Sequence, residues 1–182
     1  MERTLQNHQP MTGRIAPISF SRGLGWGLIG GLVGTAIMDL VLMGALSAFG
    51  LPALTCFSII GNTVARFFSM QSTEIAYAIQ LGVITHYLVG PLFGAIFGLL
   101  VARVKALRAN TVKKSIIQAI IYIEILSQPL LATAPILLKM TVPETLQWYG
   151  GAFIMHFLMA VVLGSVVGYG LHPASLATPR KA

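Results

Sequence analysis

The chain has 182 residues, 55% of them hydrophobic and 9% charged, with a mean hydropathy of +0.80. A soluble domain carries about a quarter charged residues, so this composition excludes an ordinary soluble domain and points to an integral membrane protein. The net charge of +7 does not indicate nucleic acid as a partner: the basic residues flank apolar segments, as orientation signals do, and no basic face with interleaved aromatics lies outside those segments.

In chain order, residues 1–22 form a basic tail with Arg3, Arg14 and Arg22, in which Pro10, Gly13 and Pro17 oppose a long helix. The first span is expected over 23–49. Its apolar run is too long for a signal peptide and contains Asp39, so it reads as an uncleaved helix. Gly50, Leu51 and Pro52 end it. Residues 53–75 are too polar and too short to span. The spacing of Phe57, Ile60, Val64 and Phe67 suggests a short amphipathic helix, interfacial or re-entrant, that includes Cys56 as a packing residue. Cys56 is the only cysteine, so no disulfide forms within the chain.

The second span is expected over 76–101, followed by a basic loop with Arg103, Lys105, Arg108, Lys113 and Lys114. The third covers 115–138, with Pro129 and Pro135 expected to kink or break its second half. The fourth covers 148–171, opened by Trp148 and Tyr149 at an interface. Residues 172–182 form a second basic tail. The whole reads as one all-α, four-span membrane domain over 23–171. Ten Lys and Arg fall in the two tails and the 103–114 loop, against Arg66 and Lys139 on the other side. Both termini are therefore expected in the cytoplasm, with the chain in a prokaryotic cytoplasmic membrane.

Gly25-Trp26-Gly27-Leu28-Ile29-Gly30 matches G-x-G-x-x-G. That dinucleotide motif needs a preceding strand, and inside a membrane helix the glycines serve close packing instead. P-loop, H-E-x-x-H and G-x-S-x-G signatures are absent, so the reading leans away from an enzyme.

Four ionisable residues, one per span, carry more information: Asp39, His86, Glu124 and His156. Such groups are costly in a membrane and usually face the bundle interior. Most lie on stripes of small residues at four-residue spacing, which favour close helix packing. The first stripe is Gly23, Gly27, Gly31, Thr35 and Asp39; the second is Gly82, His86, Gly90, Gly94 and Gly98. The fourth span gives Ala152, His156, Ala160, Gly164 and Gly168, and the third a weaker Glu124, Gln128 and Ala132. At about 1.5 Å per residue, Asp39, His86 and His156 lie ~12–15 Å below the non-cytoplasmic face and Glu124 at ~21 Å. Three groups thus share a layer, with Glu124 near it or one turn deeper.

This layer has several readings. The plainest is a hydrogen-bonded polar core that fixes helix register. A second is a proton or ion path. A third is b-type haem held by His86 and His156, with glycine faces admitting the porphyrin edge. A fourth is a transition metal held by His86, His156, Asp39 and Glu124.

The segments Gly34-Thr35-Ala36-Ile37-Met38-Asp39, His86-Tyr87-Leu88-Val89-Gly90 and Met155-His156 with Gly164 resemble small prokaryotic four-span membrane proteins of uncharacterised function. The resemblance implies four helices and carries over no catalytic residue.

The functional expectation is a non-catalytic accessory or scaffold subunit of a larger membrane complex, or a homo-oligomer, with the lipid bilayer as its medium. It rests on the small size, the lack of a catalytic signature and the glycine faces suited to helix association. The alternatives are an electron-transfer protein using haem b or a transition metal at His86 and His156, and a proton-coupled transporter or proton path.

Overall fold

The computed structural model describes residues 19–70, 74–109 and 111–171. The basic tails expected over 1–22 and 172–182 lie outside these residues, apart from Ser19–Arg22. Five α-helices account for the fold: α1 Phe20–Ala48, α2 Thr55–Phe67, α3 Glu74–Arg103, α4 Val112–Leu138 and α5 Val142–Leu171. A single 3-10 turn, Lys105–Leu107, follows α3, and no strand occurs among the described residues. All but α2 are long and apolar enough to cross a membrane. The protein is an all-helical, multi-pass membrane bundle.

Local chemistry sets the helix limits. The Ser19 and Thr111 hydroxyls accept from the backbone N–H groups of Arg22 and Lys114, capping α1 and α4. The helix carrying the fourth span starts at Val142, ahead of the aromatic pair, because Thr141 and Glu144 form a capping box. Glu144 Oε2 accepts from the Thr141 N–H and hydroxyl, each at 2.7 Å. Pro143, in the first turn, has no N–H to satisfy there. At the end of α1, Gly50 takes φ +72°. The Leu51 N–H then donates to the Leu46 carbonyl at 2.9 Å and the Gly50 N–H to that of Ser47 at 3.0 Å, a Schellman closure.

α4 continues through Pro129 and Pro135 as one helix, so of the kink or break that the prolines suggested, the break does not occur. Pro135 offers no N–H to the Leu131 carbonyl. The Trp148 indole N–H, reaching across from α5, donates to that carbonyl at 3.0 Å. A backbone acceptor that would otherwise lie bare in an apolar interior is thus satisfied by a side chain, as membrane helices with internal proline require.

The helices pack in the order α4, α5, α1, α3, α2, with α2 reaching back to α4. A methyl added at Gly94 would lie 2.7 Å from the Gly31 Cα, and one at Gly31 would lie 2.9 Å from the Pro91 Cα. Likewise Gly98 meets Gly23 and Gly27. The two glycine stripes are therefore antiparallel partners, backbone against backbone, and any side chain would separate them. α5 lies against a second face of α1, where Gly30 and Gly34 receive Leu163 and Met159. Gly164 and Gly168 of α5 in turn receive Ile116 and Val112 of α4.

Gly82 departs from its stripe. It meets the backbone of Phe57, one turn below the contact between Gly61 and Ala78. These two contacts run α2 antiparallel to the first half of α3. α2 is thus the expected short helix between the first two spans, packed along α3. The buried apolar core, including Phe97, Val101, Ile123, Leu163 and Val167, fills the space among α3, α4 and α5. Large apolar side chains such as Leu40, Leu88, Ile125 and Ile136 face outward, as a lipid solvent allows.

Candidate functional site

α1 and α3 hold the site between them. One turn beyond Thr35 on the packed face of α1 stands Asp39, and one turn before Gly90 on α3 stands His86. The close glycine contact continues into this pair, with His86 Nδ1 3.2 Å from Asp39 Oδ1. Asp39 is 2% exposed and the His86 side chain 15%. The ring N–H does not point along the line to the oxygen, so neither atom has an aligned hydrogen bond. The contact is an electrostatic one between a carboxylate and an imidazole held at close range by the backbones.

α2 completes the surroundings. The Phe57 ring stands edge-on to the His86 ring, with centroids 5.8 Å apart. Cys56 and Tyr87 both fall within electrostatic reach of Asp39. Burial pushes the Cys56 thiol up from 9.0 to about 12, and the Asp39 charge adds to the rise. At neutral pH Cys56 is a protonated packing residue, in agreement with its expected role, and not a nucleophile.

His156 of α5 falls within electrostatic reach of His86. Its Nδ1 is buried and has no partner among the described residues. The α4–α5 contacts also fix the height of Glu124. Eight residues before Gly164 is His156, and eight residues after Ile116 is Glu124. The Gly164–Ile116 contact, extended two turns up both helices, puts Glu124 level with His156 and not one turn deeper. Both Glu124 carboxylate oxygens are buried and unpartnered among the described residues. Thr35 Oγ1, wholly buried, is unpartnered too and sits against Gly90.

Of the four ionisable groups, then, Asp39 and His86 touch, and Glu124 is level with His156, with neither the Glu124 carboxylate nor His156 Nδ1 hydrogen-bonded among the described residues. The glycine groove read as a possible porphyrin slot is filled: α1 occupies Gly90, Gly94 and Gly98, and α4 occupies Gly164 and Gly168. Among the described residues no group of three or more His, Cys, Asp and Glu side chains is placed to hold a metal ion.

The contribution of α2 was missed at the sequence level. Phe57 and Gly61, four apart, face Gly82 and Ala78, four apart in the opposite sense. That complementary spacing was a signal available in the sequence. The Tyr122 hydroxyl donates to the Phe93 carbonyl at 3.0 Å and ties α4 to α3.

No family model matches the chain, and no curated protein or solved structure matches it either.

Proposed function

We propose that this membrane protein moves protons, with Asp39 and His86 as the central relay pair and His156 as the next station. The observation that carries the reading is the Asp39–His86 contact of 3.2 Å, buried among four apolar spans. A carboxyl group and an imidazole this close can pass a proton once the ring turns its N–H onto the oxygen, and such Asp–His pairs build proton relays in membrane proteins. Ionisable groups in a membrane interior cost several kcal/mol and mark relays and ion paths. A core serving only register has no need of unpartnered polar atoms, yet among the described residues Thr35 and His156 each retain one and Glu124 retains two. The orientation that fits is termini inward in a prokaryotic cytoplasmic membrane, from the distribution of Lys and Arg.

The test is proton flux in proteoliposomes, read by an internal pH dye under an imposed potential. The wild-type chain should acidify the lumen, and Asp39→Asn should fall to the rate of protein-free vesicles. Flux that persists unchanged in both Asp39→Asn and Glu124→Gln rejects the proposal.

A second reading, an accessory subunit, is favoured by a different observation. Most glycines of the packed stripes are used inside the chain, but a methyl at Gly44, Gly150 or Gly151 would meet nothing within 4 Å. Small residues facing outward let a neighbouring helix approach closely. Purification from native membranes as a lone monomer would reject this reading.

A further inference from the structure

The end of the bundle opposite the Asp39–His86 pair carries an open groove between α1 and α5. It is lined by Arg22, Trp26, Ser165, Val166, Tyr169 and Gly170 and has a volume of about 630 Å³. The walls are apolar: the Trp26 ring lies against Gly170, and the Ser165 hydroxyl is turned to the Val161 carbonyl at 2.7 Å.

The rim is cationic. Arg22 Nη2 donates to the Gly170 carbonyl at 3.1 Å, one of the last-turn carbonyls that a helix leaves without a partner. That bond fixes the guanidinium over the groove and leaves four of its five N–H donors for another acceptor. Arg103, Lys105, Arg108, Lys113 and Lys114 crowd the same end of the bundle. Arg103 stacks over Phe20 with its guanidinium carbon 5.3 Å from the ring centroid. Asp39, Glu74, Glu124 and Glu144 are the acidic residues in the described segments, and none lies at this end.

We infer that this groove is a binding site for one anionic phospholipid, with the phosphate on Arg22 and the upper acyl chain between Trp26, Val166 and Tyr169. Three features select that occupant. The groove opens sideways on the lipid-facing surface, where an acyl chain arrives by diffusion in the plane. Its one charged group sits where a headgroup sits, flanked by a Trp and a Tyr that favour that depth. A cationic end with no acidic side chain among the described residues complements an anionic headgroup better than a zwitterionic one. A guanidinium anchored on one side also presents the paired donors that suit a phosphate. This site is independent of the relay proposal and stands if that proposal fails.

The test uses the purified full chain in mixed micelles, with phosphatidylglycerol titrated against phosphatidylcholine. Lipid retention is read by native mass spectrometry and stability by thermal unfolding. Phosphatidylglycerol should be retained preferentially and should raise the unfolding temperature. Arg22→Gln should lower that retention on the order of tenfold, the effect of one charge-assisted hydrogen-bonded pair, whereas Lys113→Gln should change it little. Ser165→Phe, which fills the groove and keeps every charge, should lower retention as Arg22→Gln does. Equal retention of the two lipids by the wild-type chain overturns the inference whatever the variants do. Equal losses in Arg22→Gln and Lys113→Gln, with Ser165→Phe unaffected, also overturn it by showing a diffuse basic surface. Protection by inorganic phosphate that matches the lipid, or retention that appears only after removal of residues 172–182, overturns it as well.

Discussion

The bond from Trp148 to the Leu131 carbonyl supports a quantitative prediction. Trp148→Phe keeps an aromatic ring but removes the indole N–H, leaving the carbonyl of a residue only 7% exposed without a partner. An unsatisfied buried carbonyl costs about 1–3 kcal/mol in soluble proteins. Side-chain hydrogen bonds measured inside a membrane protein average ~0.6 kcal/mol and reach ~1.7 kcal/mol. A cost of about 1 kcal/mol is therefore expected from the bond, added to the cost of the smaller ring. Pro135→Ala restores a backbone N–H facing the same carbonyl. In that background the bond component of Trp148→Phe should vanish, while the ring-volume component stays and cancels across the cycle. The assay is reversible unfolding in mixed micelles with increasing SDS for the wild type, both single variants and the double variant. A coupling of about 1 kcal/mol is the expected result. Additivity within ~0.3 kcal/mol would refute the claim that Trp148 satisfies the carbonyl freed by Pro135.

The glycine contacts predict a sharp contrast between two Gly→Ala changes. Gly94→Ala drives a methyl into the Gly31 backbone at 2.7 Å and should destabilise by at least ~1–3 kcal/mol, whereas Gly44→Ala, with open space around it, should gain up to ~1 kcal/mol from helix propensity; SDS unfolding midpoints check both. Thr141→Ala removes the hydroxyl half of the α5 capping box and should cost ~0.5–2 kcal/mol in the same assay, with amide exchange accelerated over residues 142–145. Cys56 gives a pH prediction. Its folded pKa of about 12 lies above its ordinary 9.0, so between those values the unfolded chain holds fewer protons and stability falls as pH rises. Below pH 9 this group contributes no pH dependence. Maleimide labelling at pH 8 should accordingly be slow in native micelles and fast once SDS unfolds the chain.

The spans and the glycine stripes were legible because membrane helices must be long and apolar and because a four-residue repeat maps directly onto one face. The stripes were expected to pack closely, and the structure supplies the pairing, Gly23, Gly27 and Gly31 against Gly98, Gly94 and Gly90. The rise per residue put Asp39 and His86 at one height, and they do meet. What escaped the sequence depended on rotation and partner choice. Gly82 continues the α3 stripe, yet it packs on Phe57 of α2, because a stripe does not say which helix fills it. Glu124 was expected near the layer or one turn deeper because His156 was counted from Trp148; from the observed helix limits, Val142 and Leu138, His156 and Glu124 lie equally far in, as the Gly164–Ile116 contact also requires. The early start of α5 was visible as Thr141-Val142-Pro143-Glu144, but hydropathy placed the span start at the aromatic pair and passed over the capping signal.

The Asp39–His86 contact also has a consequence for how the protein is made. α1 is synthesised first, so Asp39 reaches the bilayer before α3 and its imidazole exist. An acidic residue at the centre of a helix costs ~2.5–3.5 kcal/mol on insertion, a cost set against an 18-residue stretch of α1 with mean hydropathy 1.9. During that interval the glycine face and the acid of α1 are turned toward lipid or toward the insertion machinery. Arrival of α3 buries both in one docking event. A nascent chain that stops after α2 therefore displays an orphan intramembrane acid, the kind of feature by which membrane quality control recognises an unassembled protein.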